Sequence, residues 1–242
     1  MLTDQIQFQK LRDRRVKSHT IWIVLFNLTV LSLTILRAVL RDKTPIEYFE
    51  ETGIITWFSG IQLLVLSGLA WRIARIRKQA GIEGKKAPQN LWKWIAFGFV
   101  YLTVDEMAQI HEAIDFFIHY LFDMETTRLS DSIDDIIVIF YSLIGFYILY
   151  NFRDEFKKYL GVFYLFAIAF LLKGIMVAFD IYTNDEEVLS DWFADPEQAK
   201  RTLEWLRTIE DCFKILAEAV FIGAFVGCTA IARQITPGDR TP

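Results

Sequence analysis

The sequence predicts an all-α fold: a polytopic integral membrane bundle of about six transmembrane helices, with both termini cytoplasmic. Three observations lead there. Of the 242 residues, 53% are hydrophobic and 21 are phenylalanine, a composition suited to lipid rather than to a soluble surface. The apolar residues gather into long runs separated by short polar connections. The lysines and arginines are concentrated in alternate connections, as the positive-inside rule requires of a multipass chain.

Residues 1–18 form a basic cytoplasmic lead with Lys10, Arg12, Arg14, Arg15 and Lys17. The six-helix domain then occupies residues 19–234, and 235–242 is a cytoplasmic tail. The first span is expected over His19–Leu40, with Arg37 near its end able to snorkel to the interface. A second helix is expected from Ile46 to Arg75, opening with Glu47, Glu50 and Glu51, which suit the positive end of the helix dipole. A basic loop over 72–93 is broken by Gly81, Gly84 and Pro88.

The third helix can continue from Trp92 to Phe122, about 46 Å and longer than the hydrocarbon layer, so it must tilt, protrude or bend. Asp123–Ser130 is an acidic turn, and Ser130 or Ser132 can cap a fourth helix ending near Phe152. The fifth helix is expected over Tyr159–Tyr182. Asp195 followed by Pro196 marks the start of the last, as an N-cap with proline at the first helical position. That helix reaches Arg233 and contains both cysteines, Cys212 and Cys228, about 24 Å apart along its axis and too distant for a mutual disulfide. No cleavable signal peptide is apparent, and no internal repeat, phosphate loop or nucleic-acid motif is found, so nucleic acid is not an expected partner.

Of the 26 lysines and arginines, 17 fall in the N-terminal lead, the 72–93 loop, the 153–158 turn and the tail. Only seven fall in the other connections, which places both termini inside the plasma (inner) membrane.

Charged residues inside the spans have a common depth. At about 1.5 Å per residue, Asp105, Lys173 and Glu218 lie roughly 20–22 Å from the inner ends of their helices, and Asp135 and Lys214 about 27–28 Å. Glu51, Glu112, Asp180 and Asp211 lie at roughly 30–33 Å on the same scale. Ionisable groups inside a span face a bundle interior or an aqueous cavity. Their shared level therefore predicts a polar chamber in the outer half of the bilayer.

The stretch from Trp92 to Phe122 carries Asp105, Glu106, His111, Glu112, Asp115 and His119. On one continuous helix, Asp105 lies about 20° to one side of Glu112, with His119 about 20°, Asp115 about 60° and His111 about 100° to the other. Glu106 points elsewhere. Histidines and carboxylates at i,i+4 spacing can converge on one cation. His111, Asp115 and His119 are thus candidate ligands for a divalent metal, with Asp211 and Glu218 of the last helix opposite. Glu112 is the candidate general base and Asp105 its catalytic companion, on metal-activated water. The spacing matches neither H-E-x-x-H nor the Glu-x-x-His of di-iron bundles. Lys173, Asp180, Glu210 and Lys214 are assigned to structural ion pairs, Lys173 with Asp105, and Lys214 with Glu210 or Glu218 at i,i+4.

Asp105, His111 and His119 in a compact bundle are similar, over this stretch alone, to the site of the alkaline-ceramidase-like membrane hydrolases. That resemblance implies zinc held by histidines and an aspartate, and cleavage of lipid amides. The family also carries a closely spaced histidine pair on a late helix. Here no histidine follows His119, so no residue role carries over.

Three readings follow. The first is a metal-dependent membrane hydrolase acting on a lipid or small molecule that enters from the outer leaflet. The second is a proton- or cation-coupled transporter. The third is a non-catalytic accessory subunit that binds partner subunits.

Overall fold

In the computed structural model every described element is helical. The structure describes residues 2–50, 53–122, 133–183, 193 and 195–236. The elements are α1 (Leu2–Val39), a 3-10 turn (Pro45–Tyr48), α2 (Ile54–Lys78), α3 (Pro88–Ala108), α4 (Ile110–Phe122) and α5 (Ile133–Asn151). They continue with α6 (Arg153–Phe156), a 3-10 turn (Lys157–Val162), α7 (Phe163–Thr183) and α8 (Pro196–Ile235). The expected cap on Ser130 or Ser132, the acids Glu51 and Asp131, and the acidic connections over 123–132 and 184–192 lie outside the described residues, as do the side chains of Asp134 and Asp135.

Among the described residues, four stretches are long and apolar enough to cross a membrane: Arg14–Val39, Ile54–Lys78, Arg153–Thr183 and Pro196–Ile235. Among the described residues α3 falls short of that standard, with Lys93, Asp105 and Glu106 along it, and Ile139–Asn151 of α5 is a shorter apolar stretch.

Helix α8 is the axis of the bundle. Its apolar window is 78% buried against 17% for α1, so α8 is enclosed while α1 is peripheral. It packs along α1, α2 and α7, and α2 packs in turn along α3. Small residues permit the close approach. A Cβ on Gly227 would lie 2.6 Å from Val162 Cγ1 and 3.2 Å from Val16 Cγ1. A Cβ on Gly223 would meet the Thr20 side chain at similar range.

Around the middle of α8 an aromatic layer closes the interior. Phe225 meets Trp92, Phe99 and Phe166 edge-on, with centroids 6.0, 5.5 and 5.8 Å away, and Trp92 also meets Tyr159 at 4.8 Å.

Asp195 caps α8 as expected, its Oδ1 accepting from the Glu197 backbone N–H at 3.0 Å with Pro196 at the first position. The second helix departs from expectation. It begins at Ile54 rather than Ile46, because Pro45–Tyr48 forms a separate 3-10 turn packed against α1 and α8. Phe49 inserts into a cluster with Leu31, Ile55 and Ile215. Gly53 sits where a Cβ would lie 2.6 Å from the Tyr48 carbonyl carbon, and Thr56 Oγ1 donates to the Glu50 carbonyl at 2.9 Å. The fifth helix also starts differently: α6 and a 3-10 turn precede α7, because Glu155 and Tyr159 are held by partners from elsewhere.

Those partners form a clamp at the end of the bundle opposite the start of α8. Arg77, 2% exposed, donates through Nε to Glu155 Oε1 at 2.6 Å and through Nη2 to Oε2 at 3.0 Å. Its Nη1 donates to Thr236 Oγ1 at 2.8 Å, and Glu155 also accepts from Lys158 at 2.8 Å and Tyr159 at 3.1 Å. One bidentate pair thereby joins α2, α6 and the end of α8. From the sequence, Arg77 read only as part of a basic loop.

Two stability outcomes follow. Gly227→Ala should cost about 1–3 kcal/mol through overpacking, and adding Val162→Ala should recover part of it, read by thermal unfolding in detergent. Arg77→Ala should cost about 3–5 kcal/mol because Glu155 is left buried without its main partner, whereas a chain carrying both Arg77→Met and Glu155→Leu should lose much less.

Candidate functional site

The organising stretch is not one helix. It breaks at Gln109, which adopts a left-handed backbone at φ 52°, between α3 and α4. The cause is local. The buried Asp105 carboxylate reaches forward, and its Oδ1 accepts from the His111 backbone N–H at 3.0 Å, capping the new helix. The His111 ring completes the lock, with Nδ1 3.0 Å from Asp105 Oδ2. Both oxygens of Asp105 are thus engaged within the break. The face calculated for a continuous helix therefore does not exist.

The break separates the expected ligands. Asp105 and His111 pair at the junction, with Glu112 Oε1 3.8 Å from His111 Nε2. One to two turns further on, His119 Nδ1 lies 3.1 Å from Asp115 Oδ1 and 3.0 Å from the Asp115 carbonyl. Asp211 and Glu218 belong to a different cluster, described below. Among the described residues, no group of three or more histidine, cysteine, aspartate and glutamate side chains is placed to hold a metal ion. Cys212 and Cys228 are both free thiols.

The groups that do converge come from four helices. Lys214 of α8 pairs with Glu106 of α3 at 2.5 Å and with Asp211 one turn away at 3.5 Å. Glu218 of α8 accepts from Ser59 Oγ of α2 at 3.0 Å and lies 4.0 Å from Lys173 Nζ of α7. Lys173 therefore meets Glu218 rather than Asp105, and Lys214 meets Glu106 rather than Glu210 or Glu218. The third and last helices do present charges to each other, but through Glu106, the acid that seemed to point elsewhere.

Glu210 has another partner, accepting from Thr183 Oγ1 at 3.3 Å. The same hydroxyl donates to the Asp180 carbonyl at 3.3 Å, so Asp180 and Glu210 lie together one step toward the start of α8.

The cluster has a rim and a floor. The side chains of Lys173, Asp211, Lys214 and Glu106 are 35%, 21%, 19% and 18% exposed, so the cleft is open to its surroundings. Glu218 is 2% exposed and forms the floor. Its Oε2 has no hydrogen-bond partner among the described residues. Nor do both amide atoms of Gln62, one turn from Ser59 on the buried face of α2. Asn27 of α1 is a third case. Its Nδ2 donates to the Ile23 carbonyl at 2.8 Å, and its Oδ1 has no partner.

The packing fixes the level of Asn27. Val16 lies against Gly227 and Thr20 against Gly223, so antiparallel registry carries Asn27 to about the depth of Leu216. Buried polar atoms without partners are rare and mark a place for a polar ligand or ordered water. Below this level lies the aromatic layer around Phe225.

Glu106, Ser59, Gln62 and Asn27 were missed in the sequence. Their signal was present: Ser59 and Gln62 are polar residues at i,i+3 in an otherwise apolar span, and Asn27 is the sole amide side chain of the first one.

The model of a family described as "Domain of unknown function (DUF8692)" matches residues 20–229. The chain belongs to this family. The match takes in every residue of the cleft and both sides of the Arg77–Glu155 pair, and it ends before Thr236. No curated protein and no solved structure matches the chain.

Removing Lys214 tests whether the rim is a coupled unit. Lys214→Met should lower stability by about 3 kcal/mol, since it leaves Glu106 and Asp211 facing each other. Adding Glu106→Gln and Asp211→Asn to the same chain should restore most of the loss, measured by thermal unfolding.

Proposed function

We propose that this is an integral protein of the plasma (inner) membrane that takes up a small cation, the proton included, at the Glu218 floor of the cleft, as the ion-binding part of a cation-coupled carrier. The observation that carries this reading is the charge balance of the cluster. Glu106, Asp211 and Glu218 supply three carboxylates against two ammonium groups, Lys173 and Lys214. A purely structural network has no use for the surplus acid, because an uncompensated buried charge is destabilising. A cation at Glu218 Oε2 removes the excess, and the unpartnered oxygens Gln62 Oε1 and Asn27 Oδ1, on the helices that pack along α8, are further acceptors for it.

Accessibility fits the same role. A partly exposed rim admits an ion, and the acids Asp180 and Glu210 beside it raise the local cation concentration. The aromatic layer around Phe225 lies between Glu218 and the Arg77 end of the bundle, an arrangement that suits an occluded site with a closed inner gate rather than a channel. Six spans with cytoplasmic termini would turn the cleft toward the outside, in keeping with the distribution of lysine and arginine.

A concentration jump on protein reconstituted in a solid-supported membrane tests this without knowledge of a transported solute. Jumps of H+, Na+ or K+ should produce a transient charge displacement in the wild type for at least one ion, and Glu218→Gln should abolish it. Wild-type protein that is electrically silent to all three ions would leave the cluster as a structural ion-pair network.

A further inference from the structure

We propose that the turn between α2 and α3 is a binding site for one anionic phospholipid molecule. A cavity of about 450 Å³ opens there, lined by Lys85, Asn90, Lys93, Trp94 and Phe97. It lies at the Arg77 end of the bundle, away from the cleft, and the reading is independent of the cation site.

The lining is graded in the way a phospholipid is graded. Lys85 lies in the turn and Lys93 in the second turn of α3, and neither is ion-paired or hydrogen-bonded through its side chain among the described residues. Asn90 holds the turn in shape, its Nδ2 donating to the carbonyls of Gly84 at 3.1 Å and Lys85 at 3.3 Å. Gly84, at φ 109°, supplies a backbone conformation that L side chains rarely adopt.

Phe97 lies about 6 Å further along α3 than Lys93. Trp94 and Phe97 are 56% and 57% exposed, and the Phe97 ring meets Trp71 of α2 edge-on at 6.0 Å. Two unpartnered cations at the polar end, followed at helical spacing by an exposed aromatic wall, fit a phosphate headgroup and the first part of an acyl chain. A free phosphate would leave the aromatic wall without a purpose. A zwitterionic lipid brings no net negative charge to the two ammonium groups, whereas an anionic one does. Basic residues at this level also meet the anionic inner leaflet in the orientation proposed above.

Quenching of Trp94 by lipid brominated in its acyl chains tests the site, with the Trp94 signal isolated by difference against a Trp94→Phe chain. In nanodiscs of phosphatidylcholine, brominated phosphatidylglycerol should quench Trp94 at a roughly tenfold or more lower mole fraction than brominated phosphatidylcholine. A chain with Lys85→Gln and Lys93→Gln should bring the two curves together. A chain with Lys78→Gln and Lys86→Gln loses the same charge from the same connection but outside the cavity, and should keep them apart. Coincident curves in the wild type would overturn the proposal. So would equal effects of the two double substitutions, which would reduce the turn to a diffuse positive surface. Retention of the native elution volume in size exclusion verifies that both variants are folded.

Discussion

A lysine or glutamate on a helix enclosed by apolar neighbours has to find a counter-group from another helix, because lipid offers none. Helix α8 carries Lys214 and Glu218 at its enclosed centre, and much of the bundle follows from satisfying them. Glu218 draws Ser59 of α2 to 3.0 Å and Lys173 of α7 to 4.0 Å, and Lys214 draws Glu106 of α3. Each contact fixes the rotation of a helix about its own axis. Apolar packing alone fixes rotation weakly in a membrane, where both faces of a helix can meet hydrocarbon. Gly223 and Gly227 then let α1 and Val162 close against the same axis.

The bundle has two polar ends of different character, separated by the aromatic layer around Phe225. At one end Arg77 and Glu155 are bidentate, nearly unexposed and further bonded by Thr236, Lys158 and Tyr159. That cluster is a fastening. At the other end the Lys173–Glu218 pair is long at 4.0 Å, the rim is partly accessible, acid exceeds base, and polar atoms on three helices lack partners among the described residues. The contrast within one molecule supports assigning binding to the second and cohesion to the first.

Much of this was legible in the sequence. The helical class and the Asp195–Pro196 start of the last helix follow from patterns within single segments. The turn at Gln109 was not legible. Nothing about Ala108-Gln109-Ile110 breaks a helix by propensity. The break is made by Asp105 reaching across to His111, a choice between two local hydrogen-bonding arrangements that periodicity does not register. The same limit hid the clamp: Arg77 and Glu155 are 78 positions apart, and each looks like an ordinary interfacial charge by itself.

The sequence by itself determined which residues must be withdrawn from lipid and at what level, because hydropathy and helical rise are properties of each segment alone. Only the tertiary structure decided which of those residues meet. It moved Glu106 into the cleft and Asp105 out of it, gave Lys173 to Glu218, and divided the expected metal ligands between α4 and α8. The reason is that partner choice depends on the rotation of helices about their axes. That rotation is set by the sum of contacts among four helices, and no one of them encodes it.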